Sequence, residues 1–250
     1  YELEKAFFVA KSGRPGPVLL DICDNVQREQ INPGGLKRFV PVKEHEKPSI
    51  PVDRILCLMK KSVRPVVVFG AGVRRSGAEE AAKKFAACLG FPVALTWASL
   101  DMFPGGHELV IGGFGINGPR YGNFAVQNAD LIISVGSRLD THATGSPMNT
   151  FAREADKIIV DIDAAELEKF RRHGMRRRLL VRADVKDFIE RMCKNIKGIK
   201  TRDLSPWFAS IRRWRRDYPV CTNACREQKD RVNPYAFLEA LSEASLKSDV

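Results

Sequence analysis

Apolar residues in this chain fall into short unbroken runs separated by stretches with helical spacing. The runs from Val66 to Phe69, Val93 to Leu95, Leu131 to Val135, Ile158 to Ile162 and Leu179 to Arg182 are rich in β-branched residues and show no apolar/polar alternation. Such runs read as strands buried on both faces. Helical patterns lie between most of them. From Val52 to Lys61, from Ser76 through Leu89 and from Val185 to Ile196, apolar side chains recur every third or fourth residue. Strands alternating with helices predict β-α-β units, hence an α/β fold built on a parallel, doubly wound sheet of about six strands with the Val66 run in its interior. In open sheets of this kind, ligands sit beyond the carboxyl ends of the strands.

The residues at those ends carry the candidate chemistry. Val66 to Gly77 reads Val-Val-Val-Phe-Gly-Ala-Gly-Val-Arg-Arg-Ser-Gly, a strand followed by a glycine turn at Gly70 and Gly72. Ser76 is the predicted N-cap of the following helix. Free amides and a helix N-terminus at such a turn suit a phosphate. The third glycine of a dinucleotide fingerprint comes late, at Gly77, and the next strand ends in Thr96-Trp97 with no carboxylate, which argues against an ordinary NAD-binding unit. A plain strand-to-helix turn remains open here. Further on, Gly112 to Gly118 is a glycine-dense loop leading into a helix at Pro119. Gly136-Ser137-Arg138-Leu139-Asp140 follows the third run, Asp161 and Asp163 close the fourth, and Asp184 follows the fifth. Together these loops predict a dinucleotide-sized crevice.

The two ends of the chain read differently. Glu2 to Lys11 is a predicted helix and Val18 to Ile22 a predicted strand, too little to bury their own faces and similar to the tail of a preceding domain. Residues 32–51, with four prolines, and residues 198–205 read as linkers. Pro206 begins a basic amphipathic helix with Trp207, Phe208, Ile211 and Trp214, and Asn233-Pro234 opens another helix lined by Tyr235, Phe237, Leu238 and Leu241. A strand would be starting at Ser248 to Val250. With Tyr1 as first residue, these ends are expected to belong to a longer protein.

Composition narrows the class. A chain of 250 residues that is 44% hydrophobic can bury a large core. It shows no stretch of membrane-spanning length. Six cysteines without C-x-x-C spacing point to free thiols and a cytoplasmic setting. The formal charge of +11 gathers at Arg171, Arg172, Arg176, Arg177 and Arg178 and at Arg212, Arg213, Arg215 and Arg216. No nucleic-acid motif accompanies these clusters, so a solvated face or an acidic partner is the expectation, and nucleic acid is not.

Several motifs carry a family resemblance. Gly13-Arg14-Pro15-Gly16-Pro17-Val18 with Asp21 resembles the closing segment of the pyrimidine-binding domain of thiamine-diphosphate-dependent enzymes. Ala129-Asp130-Leu131, Gly136 to Asp140, Asp161-Ile162-Asp163 and Ala183-Asp184-Val185-Lys186 resemble successive motifs of their central domain, in the family's order. Asn233-Pro234 resembles the opening of the pyrophosphate-binding domain. The loops are most similar to those of acetolactate synthase large subunits. The resemblance implies residues 1–31 as the end of the pyrimidine domain, 52–197 as a central domain holding FAD, and 206–250 as the start of the pyrophosphate domain.

It also implies where FAD would lie. Arg14, Gly70, Thr96 and Trp97 would run along it, with Phe114, Gly115, Ile116 and Asn117 beside it. Gly136, Ser137, Arg138, Leu139 and Asp140 would follow, and Asp161, Ile162, Asp184 and Val185 would lie toward the adenosine. Arg14 or Arg138 could pair with the diphosphate, and an aspartate could accept ribose hydroxyls. The implied parent decarboxylates a 2-keto acid and joins the product to another carbonyl, using thiamine diphosphate and Mg2+, as a homodimer or homotetramer with a regulatory subunit left open. The family's catalytic glutamate and its Gly-Asp-Gly metal motif do not occur in these residues, so no catalytic or metal-binding residue is expected here. Where the synthases carry a second arginine after the one matched by Arg138, this chain has His142. Related decarboxylases and lyases with ADP or no nucleotide in this domain therefore stay open. Gly70-Ala71-Gly72 with Ser76-Gly77 also resembles the start of the nucleotide loop of NAD-dependent deacylases, but the rest of that family's motifs do not follow.

Overall fold

Each of the five apolar runs forms a strand, and one further strand joins them. The computed structural model describes residues 1–41, 49–196 and 201–245. The strands are β1 (Pro65–Phe69), β2 (Val93–Leu95), β3 (Val110–Gly113), β4 (Leu131–Val135), β5 (Asp156–Asp161) and β6 (Arg178–Arg182). All neighbours pair in parallel, in the order β3-β2-β1-β4-β5-β6. The chain therefore winds outward from β1 through β2 to β3, returns to the middle at β4, and winds outward the other way. The reversal between β1 and β4 is the switch point at which such sheets open a crevice.

Alternation along β1 assigns the two faces of the sheet. Val67 and Phe69 pack with Ile55, Phe85 and Phe188, whereas Val66 and Val68 pack with Ala125, Ile132 and Phe151. The first face is covered by the helices Val52–Lys61, Glu79–Leu89 and Val185–Ile196, the second by Arg120–Gln127, Ala164–Arg172 and Ser205–Asp217. The last of these, expected to open a further domain, is seated in this core: Trp207 and Ile211 are buried, and the Trp207 indole donates to the Pro65 carbonyl at 3.0 Å.

Three local expectations need correction. Val18 to Ile22 forms no strand; it runs extended and exposed, with Leu19 86% accessible, because no ladder partner lies beside it among the described residues. Ser76 does not cap the long helix. A short helix, Ala71–Arg75, starts directly after Gly70, Ser76 closes it with its Oγ donating to the Val73 carbonyl, and Gly77 at φ 63° breaks the chain before the Glu79–Leu89 helix. Gly112 and Gly113 belong to β3 rather than to a loop. The helices Glu2–Lys11 and Pro234–Ala244 form as expected and leave Leu3, Phe7, Phe237 and Leu238 exposed. Parts of both linkers, 42–48 and 198–200, and the strand expected at Ser248 lie outside the described residues. Among the described residues no helix is long and apolar enough to cross a membrane.

One polar group sits deep in the framework, far from the carboxyl ends of the strands. Lys157, the second residue of β5, is 2% exposed and donates its Nζ hydrogens to the carbonyls of Ala155 at 2.8 Å and Arg176 at 3.3 Å. Burial, reinforced by the Arg177 charge, pushes its pKa down to about 8. Between that value and the ordinary 10.5 the unfolded chain still holds a proton that the folded chain has released, so stability rises with pH through this window. The expected gain over the window is up to ~3 kcal/mol. Urea unfolding at pH 7.5 and 10 should show this rise in the parent chain and lack it in Lys157→Met; equal slopes would mean that burial does not lower the Lys157 pKa.

Candidate functional site

The site is built where β1 and β4, the two central strands, release the chain at the same carboxyl end of the sheet. The two departing loops touch backbone to backbone. Gly70 N–H donates to the Val135 carbonyl at 3.2 Å and Gly72 N–H to the Gly136 carbonyl at 2.8 Å. A Cβ on Gly70 would lie 2.6 Å from Gly136 O and Ser137 Cα, and one on Gly72 would lie 2.7 Å from Gly136 Cα. These glycines, read from sequence as making room for a ligand, make room for the neighbouring loop, and two amides expected to face a phosphate are spent on the protein's own carbonyls. Gly136 itself adopts φ 61°, a conformation open to glycine at little cost.

Around this junction the other strand ends close a cleft of about 640 Å3. Arg14 reaches it from the N-terminal segment; Thr96 and Trp97 come from the end of β2, and Phe114 and Asn117 from the end of β3. Gly136 through Asp140 form one wall, with Asp161, Ile162, Asp184 and Val185 below it. Gly70, Gly115 and Ile116 do not line the cleft. Gly70 is covered by the Gly136 loop. Gly115 and Ile116 pin their own loop instead: Gly115 N–H donates to Asn123 Oδ1 at 2.7 Å, and Ile116 N–H to the His142 carbonyl at 2.8 Å. The lining residues that the sequence reading gave no role include Arg75, Ala98 and Leu100, while Gly72, Ser76 and Gly113, noted for their turns and loop, were not placed along the ligand. Arg75 and Ser76 stand inside the Val66 to Gly77 stretch, which was the available signal.

The aspartates divide into spent and free. Asp140 Oδ1 accepts from the amides of His142 at 3.1 Å and Ala143 at 3.2 Å, Asp163 caps the Ala164–Arg172 helix through the Ala165 amide at 2.9 Å, and Asp184 accepts from the Lys186 amide at 2.8 Å. Each is an N-cap holding a loop in place. Asp161 Oδ1 accepts from the Asp163 amide at 2.9 Å, and its other oxygen has no partner among the described residues. Burial pushes the Asp161 carboxyl pKa up, against the pull of the Asp163 amide and Arg14.

The two arginines singled out from sequence share one carboxylate. Glu166 receives Arg14 at 3.0 Å, Arg138 at 2.9 Å and Lys169 at 2.6 Å, and Arg14 also stands 3.6 Å from Asp163. Burial works to raise the Glu166 pKa, but hydrogen bonds from Lys169 and Arg14 outweigh it and hold the carboxyl below its ordinary value. Glu166 and Lys169 went unnoticed in the sequence, although their spacing of three on a helix is a recognisable pair. Trp97, by contrast, is 73% exposed at the rim and offers an aromatic face to a planar ring. A carboxylate oxygen for hydroxyls, an aromatic face and an arginine-bearing wall in a cleft of this volume form a donor set that fits a dinucleotide.

A family model described as "Thiamine pyrophosphate enzyme, central domain" matches residues 52–192. The chain is 30% identical over 249 residues to acetolactate synthase 1, chloroplastic, of Zea mays, covering 96% of this chain and 38% of that protein. It is 32% identical over 247 residues to the acetolactate synthase large subunit of Corynebacterium glutamicum, again covering 96% of this chain and 38% of the relative. It is 37% identical over 171 residues to the large subunit of acetolactate synthase isozyme 2 of Escherichia coli, covering 68% of this chain and 30% of the relative. The chain thus spans less than half the length of these curated relatives. A family match over more than half of its residues, on the parallel doubly wound sheet described above, establishes that this chain belongs to the thiamine pyrophosphate enzymes through their central domain.

Proposed function

We propose that the cleft holds FAD in the central domain of a thiamine-diphosphate-dependent carboligase of the acetolactate synthase type, one that acts on 2-keto acids. The observation that carries the reading is the cleft at the β1/β4 switch point, in which an oxygen of Asp161 stands free and Trp97 exposes its ring. Asp161 would accept hydroxyls of a ribose, and Trp97 would cover a planar ring. Asp140, Asp163 and Asp184 would hold the surrounding loops rigid, and Glu166 would fix Arg14 and Arg138 at the wall. Residues 1–31 and 206–250 would then adjoin the pyrimidine and pyrophosphate domains, with the Ser205–Asp217 helix seated on the central one. In the whole enzyme, a homodimer or homotetramer, thiamine diphosphate held with Mg2+ would supply the electron sink for decarboxylation. This chain's part is architecture and nucleotide binding.

The exchange of a family arginine for His142 supports a second reading, in which the same cleft takes ADP in a related decarboxylase or lyase. The absorbance spectrum of the purified chain, followed by titration with FAD and ADP, separates the two. A flavin spectrum, released on denaturation and restored by added FAD with quenching of Trp fluorescence, is the expected result. Binding of ADP without FAD would favour the second reading, and binding of neither would overturn both. With thiamine diphosphate, Mg2+ and pyruvate, these 250 residues alone are expected to release no carbon dioxide.

A further inference from the structure

We propose that Arg75 is the cation that receives the diphosphate of the bound dinucleotide, while Arg14 and Arg138 shape the cleft without supplying that charge. The inference rests on the FAD reading above. Three arginines reach the cleft: Arg14, Arg75 and Arg138. On one wall, Arg14, Arg138 and Lys169 face the carboxylates of Glu166, Asp163 and Asp161. Three positive charges stand against three negative ones there. A diphosphate approaching this wall would meet no net positive charge, because Glu166, Asp163 and Asp161 already balance the cations there.

The lining contributed by the Ala71–Arg75 helix is different. Arg74 and Arg75 are consecutive at the end of the Ala71–Arg75 helix, so their side chains leave it about 100° apart. Arg74 points outward, donating to both oxygens of Asp101 at 2.9 Å and to Glu79 at 2.9 Å. That contact fixes the rotation of the turn and leaves Arg75 directed into the cleft, where it has no ion-pair or hydrogen-bond partner among the described residues. A guanidinium with its fork of donors free matches phosphate oxygens in pairs, and its charge is not already neutralised.

The test is a titration of the full chain with FAD, ADP and riboflavin at low and moderate salt, in the parent and in Arg75→Ala, Arg75→Lys and Arg138→Ala, with circular dichroism to check the fold. Arg75→Ala is expected to weaken FAD and ADP together by about ten- to a hundredfold and to flatten their salt dependence, leaving riboflavin, which carries no phosphate, unchanged. Arg75→Lys should keep part of the affinity, and Arg138→Ala should lose less than Arg75→Ala. If the parent binds FAD and Arg75→Ala binds it equally well, this inference is overturned and the FAD reading stands. A parallel loss of riboflavin in Arg75→Ala would also overturn it, since charge would not be the cause. A parent chain that takes neither FAD nor ADP overturns the FAD reading and the inference with it.

Discussion

Replacing Trp207 with alanine is expected to destabilise the folded chain by about 3–5 kcal/mol. The indole is 3% exposed in the second core, with the Trp214 ring edge-on at 5.7 Å and Ile211 one turn along the same helix. Truncation would leave a cavity against β1 and would also strip the Pro65 carbonyl of its donor. Trp207→Phe is the milder change, because it keeps an aromatic ring in the core while losing the N–H and part of the indole volume; about 1–3 kcal/mol is expected for it. Urea unfolding of both variants checks the numbers. The result also bears on where the central unit ends. The family match stops at residue 192, whereas the core continues through Ile211. A Trp207→Ala chain within about 1 kcal/mol of the parent would place the Ser205–Asp217 helix outside the folding unit.

The parts of the fold legible in sequence are those decided by local chemistry. β1 and β4 could be read because strands covered on both faces need an unbroken apolar run, which leaves little ambiguity at four or five residues. β3 could not. Its four residues are Val110-Ile111-Gly112-Gly113, half of them glycine, and it lies at the sheet edge with one ladder to β2 that shifts register between Val93 and Ala94. On its open side, Arg215 donates to the carbonyls of Val110 at 2.7 Å and Ile111 at 2.8 Å while lying over the Tyr121 ring. A contact across more than a hundred residues has no local trace. It also gives one of the late arginines a structural duty that its charge cluster did not suggest. Trp207 illustrates the same division: its place on an apolar stripe is local, but the carbonyl it serves is 142 residues away.

The site was legible as a place and less so as a set of roles. Parallel topology puts loops at carboxyl strand ends whatever their chemistry, so Thr96, Gly136 and Asp161 are gathered by the strand pattern alone, whereas Phe114, after the unread β3, is placed only by the family resemblance. Which polar groups remain free is a different question, since each is first claimed by the protein's own backbone. Asp140, Asp163 and Asp184 each precede a helix, and their capping role was readable from that position. The engagement of Arg14 by Glu166 was not, because 152 residues separate them. Arg75 was passed over for the opposite reason: it sits beside Arg74, and sequence alone does not distinguish the arginine bound to Asp101 from the one facing the cleft.

Gly70→Ala should affect both stability and the site, because it acts where the two loops meet. The added Cβ would lie 2.6 Å from both Gly136 O and Ser137 Cα, and neither backbone atom can move aside as a side-chain tip could. Gly136 is itself confined, with Val73 N and Val185 Cγ2 each 2.9 Å from its own Cβ position. Relief therefore requires the ends of β1 and β4 to separate, breaking the bonds from Gly70 N–H and Gly72 N–H to Val135 and Gly136. Overpacking of this kind costs about 1–3 kcal/mol where neighbours can adjust, and with backbone on both sides the upper end, ~3 kcal/mol, is expected here. The Ala71–Arg75 turn would move with it and carry Arg75 off the cleft wall, so FAD affinity should fall at least about tenfold if Arg75 receives the diphosphate. Gly105→Ala is the matched control, since a Cβ there meets nothing within 4 Å and its φ is not in the left-handed region. That variant should stay within about 0.5 kcal/mol of the parent. If urea unfolding gave Gly70→Ala the same stability as Gly105→Ala, the backbone contact between the two loops, and with it the closed floor of the cleft, would be wrong.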